Sequence, residues 1–153
     1  MKTLLAAILL ALMPGAALAE QVSLTSHVEV IRHKADASGK QTEVLEEPKL
    51  VVPGDRLRFT LDYANNSPKP AENFVISDPI PAAVAFAGGE SAGADLSVDG
   101  GKTFGKLVAL SVVDAAGKKR AGLPADVTHV RWVFDRPLAP GTKGKVQFEA
   151  IVK

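Results

Sequence analysis

Residues 56–63 read Arg-Leu-Arg-Phe-Thr-Leu-Asp-Tyr, and this octet constrains the fold more than any other stretch of the chain. Leu57, Phe59, Leu61 and Tyr63 fall on one face while Arg56, Arg58, Thr60 and Asp62 fall on the other, the period of two that a half-buried strand requires. Both ends are marked. Before it, Pro53-Gly54 supplies the second and third positions of a type II turn, where proline presets φ and glycine takes positive φ. After it, Asn65-Asn66-Ser67-Pro68-Lys69-Pro70 cannot continue a ladder, because each proline lacks the N–H that a ladder needs.

The rest of the chain repeats this grammar. Val22, Leu24, Val28 and Val30 alternate with polar residues, and a turn at 35–40 leads to a short strand at 42–45 that Pro48 confines to an edge. Phe74 to Ser77 is a further short strand, and Asp78-Pro79-Ile80-Pro81 predicts an extended exit, since a residue before proline is driven from the helical region. A brief pairing at 84–86 precedes Gly88-Gly89 and Gly93, the most flexible part by composition. Residues 107–113 are apolar without a clean period and read as a strand on their β-branched content. Strands at 125–134 and 146–152 follow, the latter with Val146, Phe148, Ala150 and Val152 on one face. Trp132 reads as a core anchor. No segment has the spacing of an amphipathic helix, so the expectation is an all-β antiparallel sandwich of about seven to nine strands, one domain over 20–153.

Residues 1–19 are set aside as a secretory signal peptide: Lys2, a short apolar run over 4–13, Pro14-Gly15, then Ala17-Leu18-Ala19 as the cleavage site. The apolar run is too short to span a bilayer, and no longer one follows, so no membrane span is expected. The compartment predicted is the periplasm, with secretion as the alternative. Without Lys2 the basic and acidic residues balance at 17 each, which gives a nucleic-acid partner no basic footprint. The chain has no cysteine, so no disulfide and no thiolate metal or redox site can form.

Pro53-Gly54-Asp55, the strand to Tyr63, Asn65, and then Ala71-Glu72-Asn73-Phe74-Val75-Ile76-Ser77-Asp78-Pro79-Ile80-Pro81 resemble the repeat domain of bacterial secreted and cell-surface proteins known as domain of unknown function eleven. Pro53, Gly54, Asp55, Tyr63, Asn65, Asn73, Asp78, Pro79 and Pro81 carry the likeness. It implies an immunoglobulin-like β-sandwich with Greek-key-type connections in an extracytoplasmic protein.

Residues 97–104, Ser-Val-Asp-Gly-Gly-Lys-Thr-Phe, fit the Asp-box pattern S-x-D-x-G-x-T-[F/W]. There Asp99 is expected to cap a hairpin by accepting backbone donors, with Gly101 free to take positive φ and Phe104 packing beneath. One copy in a chain this short does not build a propeller. Lys118-Lys119-Arg120 reads as a solvated loop tip, with an anionic ligand as the functional alternative.

Catalytic candidates are few. His27, His33 and His129 have no nucleophile elbow beside them, and His27 and His33 lie six residues apart, roughly 20 Å on an extended strand, too far to share an ion. Asp95, Asp99 and Asp114 are too scattered for a calcium loop. Asn65-Asn66-Ser67 matches the glycosylation pattern, read as coincidence in an exported bacterial chain. A Lys49–Asn65 cross-link can be nominated, but the last strand, 146–152, offers no Asn and the resemblance gives no matching triad. No catalytic residue, cofactor or metal is expected. The function expected is an exported, non-enzymatic sandwich acting by protein interaction or structure in the cell envelope, with an envelope or surface protein as partner and edge strands (42–45 or the terminal strand) as contacts. The alternative is a small-molecule or carbohydrate binding module using Arg58, Tyr63, Trp132 or residues 118–120.

Overall fold

The structure, a computed structural model, describes residues 22–153; the signal peptide expected at 1–19 lies outside the described residues. The described residues form ten strands: β1 (Val22–Ala35), β2 (Gln41–Glu46), β3 (Arg56–Asn65), β4 (Val75–Pro79), β5 (Val84–Gly88), β6 (Ala94–Ser97), β7 (Ser111–Val113), β8 (Lys119–Ala121), β9 (His129–Val133) and β10 (Lys143–Val152). All pairings are antiparallel. They make a five-stranded sheet in the order β2-β1-β3-β10-β5, a three-stranded sheet β4-β9-β6, and the separate hairpin β7-β8.

The alternation in β3 sets the inside of the large sheet. Leu57, Phe59 and Leu61 are buried and paired in register with Ala150, Phe148 and Val146 of β10. Phe59 and Phe148 stack with centroids 4.9 Å apart, and the Phe86 ring lies 6.3 Å from Phe148. The small sheet contributes Ile76, Val130, Trp132, Ala94 and Leu96 to the same buried cluster. Trp132 is 3 % exposed and its Nε1 donates to the Ser91 carbonyl at 3.2 Å. One core therefore joins the two sheets.

Local chemistry fixes the ends. Gly54 has φ of 93°, and Asp55 accepts the Val52 N–H at 3.0 Å while a pair of Arg32 guanidinium nitrogens reaches its carboxylate at 2.5 and 3.2 Å. Arg32 lies where β1 has run past β3 and pairs only with β2, so Asp55 ties that projecting hairpin to the sheet. Arg32 holds the Asp55 carboxyl below the ordinary carboxylate range. Asn65 is fully buried. Its Nδ2 donates to the Leu138 and Lys69 carbonyls at 2.7 and 2.8 Å, and its Oδ1 accepts from the Ser67 N–H and hydroxyl at 3.0 and 2.9 Å. Asn73 has φ of 51°, in the left-handed region that asparagine tolerates better than most residues.

Four expectations need correction. The described residues hold ten strands rather than about seven to nine, because β7 and β8 form a hairpin of their own. Residues 107–113 are not one strand: Leu107–Ala109 turn as a short 3-10 helix, and Ser111–Val113 alone pair as a strand. The 125–134 segment pairs only over His129–Val133, since Pro124–Asp126 form another 3-10 turn. The terminal strand is an edge only in part: β3 lies on one side along its length, and β5 covers the other over residues 149–152.

Candidate functional site, an open sheet edge

The outermost strands differ in how their free backbone is covered. On the small sheet, β6 is closed by a two-way bridge between Leu96 and Gly105, with N···O distances of 2.8 and 3.0 Å. On its other side β4 ends in Pro79, which has no N–H to offer. Asp78 of β4 turns inward, and burial pushes its carboxyl above the ordinary value, partly opposed by His129. An inward acid and a terminal proline are two devices that keep an edge from accepting another strand. On the large sheet, β5 has the Pro124–Asp126 turn alongside it, and β2 carries Glu43 and Glu46.

β1 has no such guard over its first half. β2 pairs with it only from Val30 onward, so residues 22–29 have β3 on one side and no described strand on the other. The direction of the free groups follows from Asn65. Its N–H bonds the Thr142 carbonyl and its carbonyl accepts the Gly141 N–H, toward β10. Backbone groups alternate sides along an antiparallel strand, so Ala64, Asp62, Thr60 and Arg58 point the other way, where they meet Ser23, Thr25, His27 and Glu29. The N–H and C=O groups of Val22, Leu24, Ser26 and Val28 consequently point out of the sheet. Residues 22–28 contain no charged residue and no proline. Leu24 is 50 % exposed although it shares the inward face with Tyr63.

The residues singled out from the sequence are mostly spent on structure. Ser97, Asp99, Gly101 and Phe104 build one turn: Asp99 accepts the Lys102 and Thr103 N–H groups at 3.1 and 2.9 Å and the Thr103 hydroxyl at 2.7 Å, while Ser97 Oγ accepts the Gly101 N–H at 2.9 Å. The donors from Thr103 push the Asp99 carboxyl far below the ordinary range. Phe104 lies under the Arg131 guanidinium, 3.9 Å from ring centroid to Cζ. In the 118–120 cluster Lys119 and Arg120 belong to β8, not a loop tip, and Arg120 forms a two-pronged ion pair with Asp126 at 2.6 and 2.8 Å. That pair, with the Leu123 N–H, holds the Asp126 carboxyl at about 2. Lys118 and Lys119 are exposed, so the cluster offers an anion two ammonium groups and no free guanidinium.

His27 faces Asp62 across β1 and β3 at 3.2 Å, and His129 lies beside Thr128 at 3.2 Å. Neither reaches a hydroxyl backed by a further base. Asp95 is engaged by Lys106 at 3.1 Å and by Arg131 at 3.8 Å, and Asp114 accepts N–H groups of its own turn, so these acids stand apart. Arg58 meets Glu149 at 2.6 Å and Glu43 at 2.7 Å, a closed network on the outer face. Sequence reasoning missed the β1 edge because exposure of a strand depends on which partners it finds. The signal available was the absence of charge and proline from 22–28.

No protein-family model, curated protein or solved structure matches the chain.

Proposed function

We propose that the chain is an exported, immunoglobulin-like β-sandwich with Greek-key-type connections, resembling domain of unknown function eleven, that acts without catalysis by taking an extended segment of another envelope protein onto the free edge of β1. The observation that carries this reading is the unguarded run of residues 22–28, set against outer strands that are bridged, overlaid, charged or proline-ended. Main-chain hydrogen bonds supply affinity in strand addition, and covering Leu24 adds apolar burial. The signal peptide expected at 1–19 supports an exported, periplasmic location.

The test is a photo-crosslinking residue at Ser26 in the exporting cell, with and without the guarding pair Leu24→Lys and Thr25→Lys. A defined envelope protein should be captured by the unguarded chain and lost from the guarded one. Equal capture by both would remove the edge from consideration.

A further inference from the structure

On the opposite flank, well separated in the strand order from the edge of β1, the two sheets leave a second opening. β5 stops at Gly88 and β6 starts at Ala94, and the chain between them crosses from one sheet to the other. Ser91 in that crossing caps β10: its N–H bonds the Gln147 carbonyl at 2.9 Å and its hydroxyl accepts the Gln147 N–H at 3.0 Å. By alternation, the N–H and C=O groups of Lys145 and Lys143 point the same way as those of Gln147, past the end of β5 and without a strand to meet them. Across the opening, the Phe134 N–H bonds the Phe74 carbonyl toward β4, so the backbone groups of Val133 point back into the gap. Between these walls lies a cleft of about 370 Å³ lined by Tyr63, Trp132, Phe134 and Val146 with Asp135 and Lys145 at its lips. Gly144 shapes it. A Cβ there would come within 2.3 Å of the Tyr63 hydroxyl, so glycine is what lets the Tyr63 ring lie across β10.

We infer that this cleft and the free edge of β10 bind an extended peptide whose sequence runs acidic, bulky apolar, acidic. The register dictates the pattern. A strand added antiparallel to β10, in line with β5, places one residue opposite Gly144 with its side chain turned inward, against Tyr63, Trp132 and Phe134. Its two neighbours lie opposite Lys143 and Lys145, on the outer face. Both lysines are exposed, and the lysine ion pairs among the described residues are made by Lys34 and Lys106. Acidic neighbours therefore meet unpaired ammonium groups, and Asp135 at the far lip excludes an acid from the inward position.

The experiment uses the chain with Trp132, its one tryptophan, as reporter, since its ring borders the cleft. The probe is an acetylated, amidated peptide Thr-Glu-Phe-Glu-Thr. Saturable change in Trp132 emission is expected, weakened about tenfold or more when both glutamates become lysines. Lys145→Glu should reverse that preference. Methylating the two glutamate amide nitrogens should abolish binding by removing the N–H groups that bond β10. No saturable change at millimolar peptide, or undiminished binding of the methylated peptide, would overturn strand addition here. The Leu24→Lys, Thr25→Lys chain should bind as the unaltered one does; loss in that variant would move the peptide to β1 and overturn the assignment to the cleft.

Discussion

The first half of β1, which β2 does not reach, and the outer strand β4 both leave a backbone edge without a strand beside it, yet they answer the hazard of an edge in opposite ways. β4 is five residues long, ends in Pro79 and turns the Asp78 carboxylate inward. β1 runs for 14 residues and leaves its first half free of charge, proline and cover. Stability alone explains the first arrangement, because a short guarded edge keeps a monomer from polymerising. It does not explain the second. A long plain edge retained beside guarded ones is the contrast on which the proposed partner contact rests.

The largest effect expected bears on whether that edge is a rigid feature. Val22, where the free edge begins, pairs with Asn65, and Asn65 anchors the end of β3. Asn65→Ala leaves the Leu138 and Lys69 carbonyls and the Ser67 N–H without their partner. It should cost about 3 kcal/mol by denaturant titration and accelerate amide exchange in β1. Loss below about 0.5 kcal/mol would mean that the edge is held by something else.

Next comes the guarded edge made plain. Asp78→Val with Pro79→Thr removes both devices from β4 and should give concentration-dependent self-association by light scattering, whereas the native chain stays dispersed at the same concentration. If the double variant remains dispersed, the contrast between the strands carries less weight than we assign it. The converse change, Leu24→Lys with Thr25→Lys, adds guards to β1. It should leave stability within about 0.5 kcal/mol, as for other exposed positions, and a larger loss would show that these side chains serve the fold.

The smallest effect is read against pH, and the two carboxyls concerned have opposite signs. Asp78 is raised by burial, so its contribution to stability is full below the unfolded value near 4 and is lost as pH rises through its folded value. Asp78→Asn should match the native chain in acid and exceed it at neutral pH. Asp126 is held at about 2, so its contribution is present above about pH 4 and is lost as pH falls through about 2. Asp126→Asn should be weaker at neutral pH and converge in strong acid. Parallel pH curves for the two variants would contradict the inward placement of Asp78.

The all-β class was legible because Leu57, Phe59, Leu61, Val146, Phe148 and Ala150 alternate, and alternation has one structural meaning. The Pro53-Gly54 turn was legible for the same reason: few residue pairs suit it. Residues 107–113 misled because an apolar run without period fits a strand or a turn equally, and the turn packs closely on Gly122, where a Cβ would come within 3.3 Å of the Leu107 side chain. Edges were legible only in part: Pro48 marked the 42–45 strand as an edge, and β2 is the outer strand of the large sheet, but the bare half of β1 carried no such mark. Whether β10 is outer or inner depends on where β5 pairs with it, and no feature of residues 143–152 encodes that. The cleft is less visible still, being made by the places where β5 and β6 stop. Its aromatic wall comes from Tyr63, Trp132 and Phe134, which a sequence reading assigns to strands without placing them together.

The position of β10 between β3 and β5 also bears on how the molecule assembles. Ala64 meets Lys143 and Arg56 meets Ile151, pairings that close most of the chain into a loop before any return in hydrogen bonds. Such distant pairing slows folding relative to hairpin formation, so β1, β2 and β3 can form early while β3 waits with its other side bare. During that interval the apolar face of Phe59 lacks Phe148, and the growing sheet is open on both flanks. The docking of that one strand covers the second side of β3, and the rate of that step sets how long the nascent protein needs protection from aggregation.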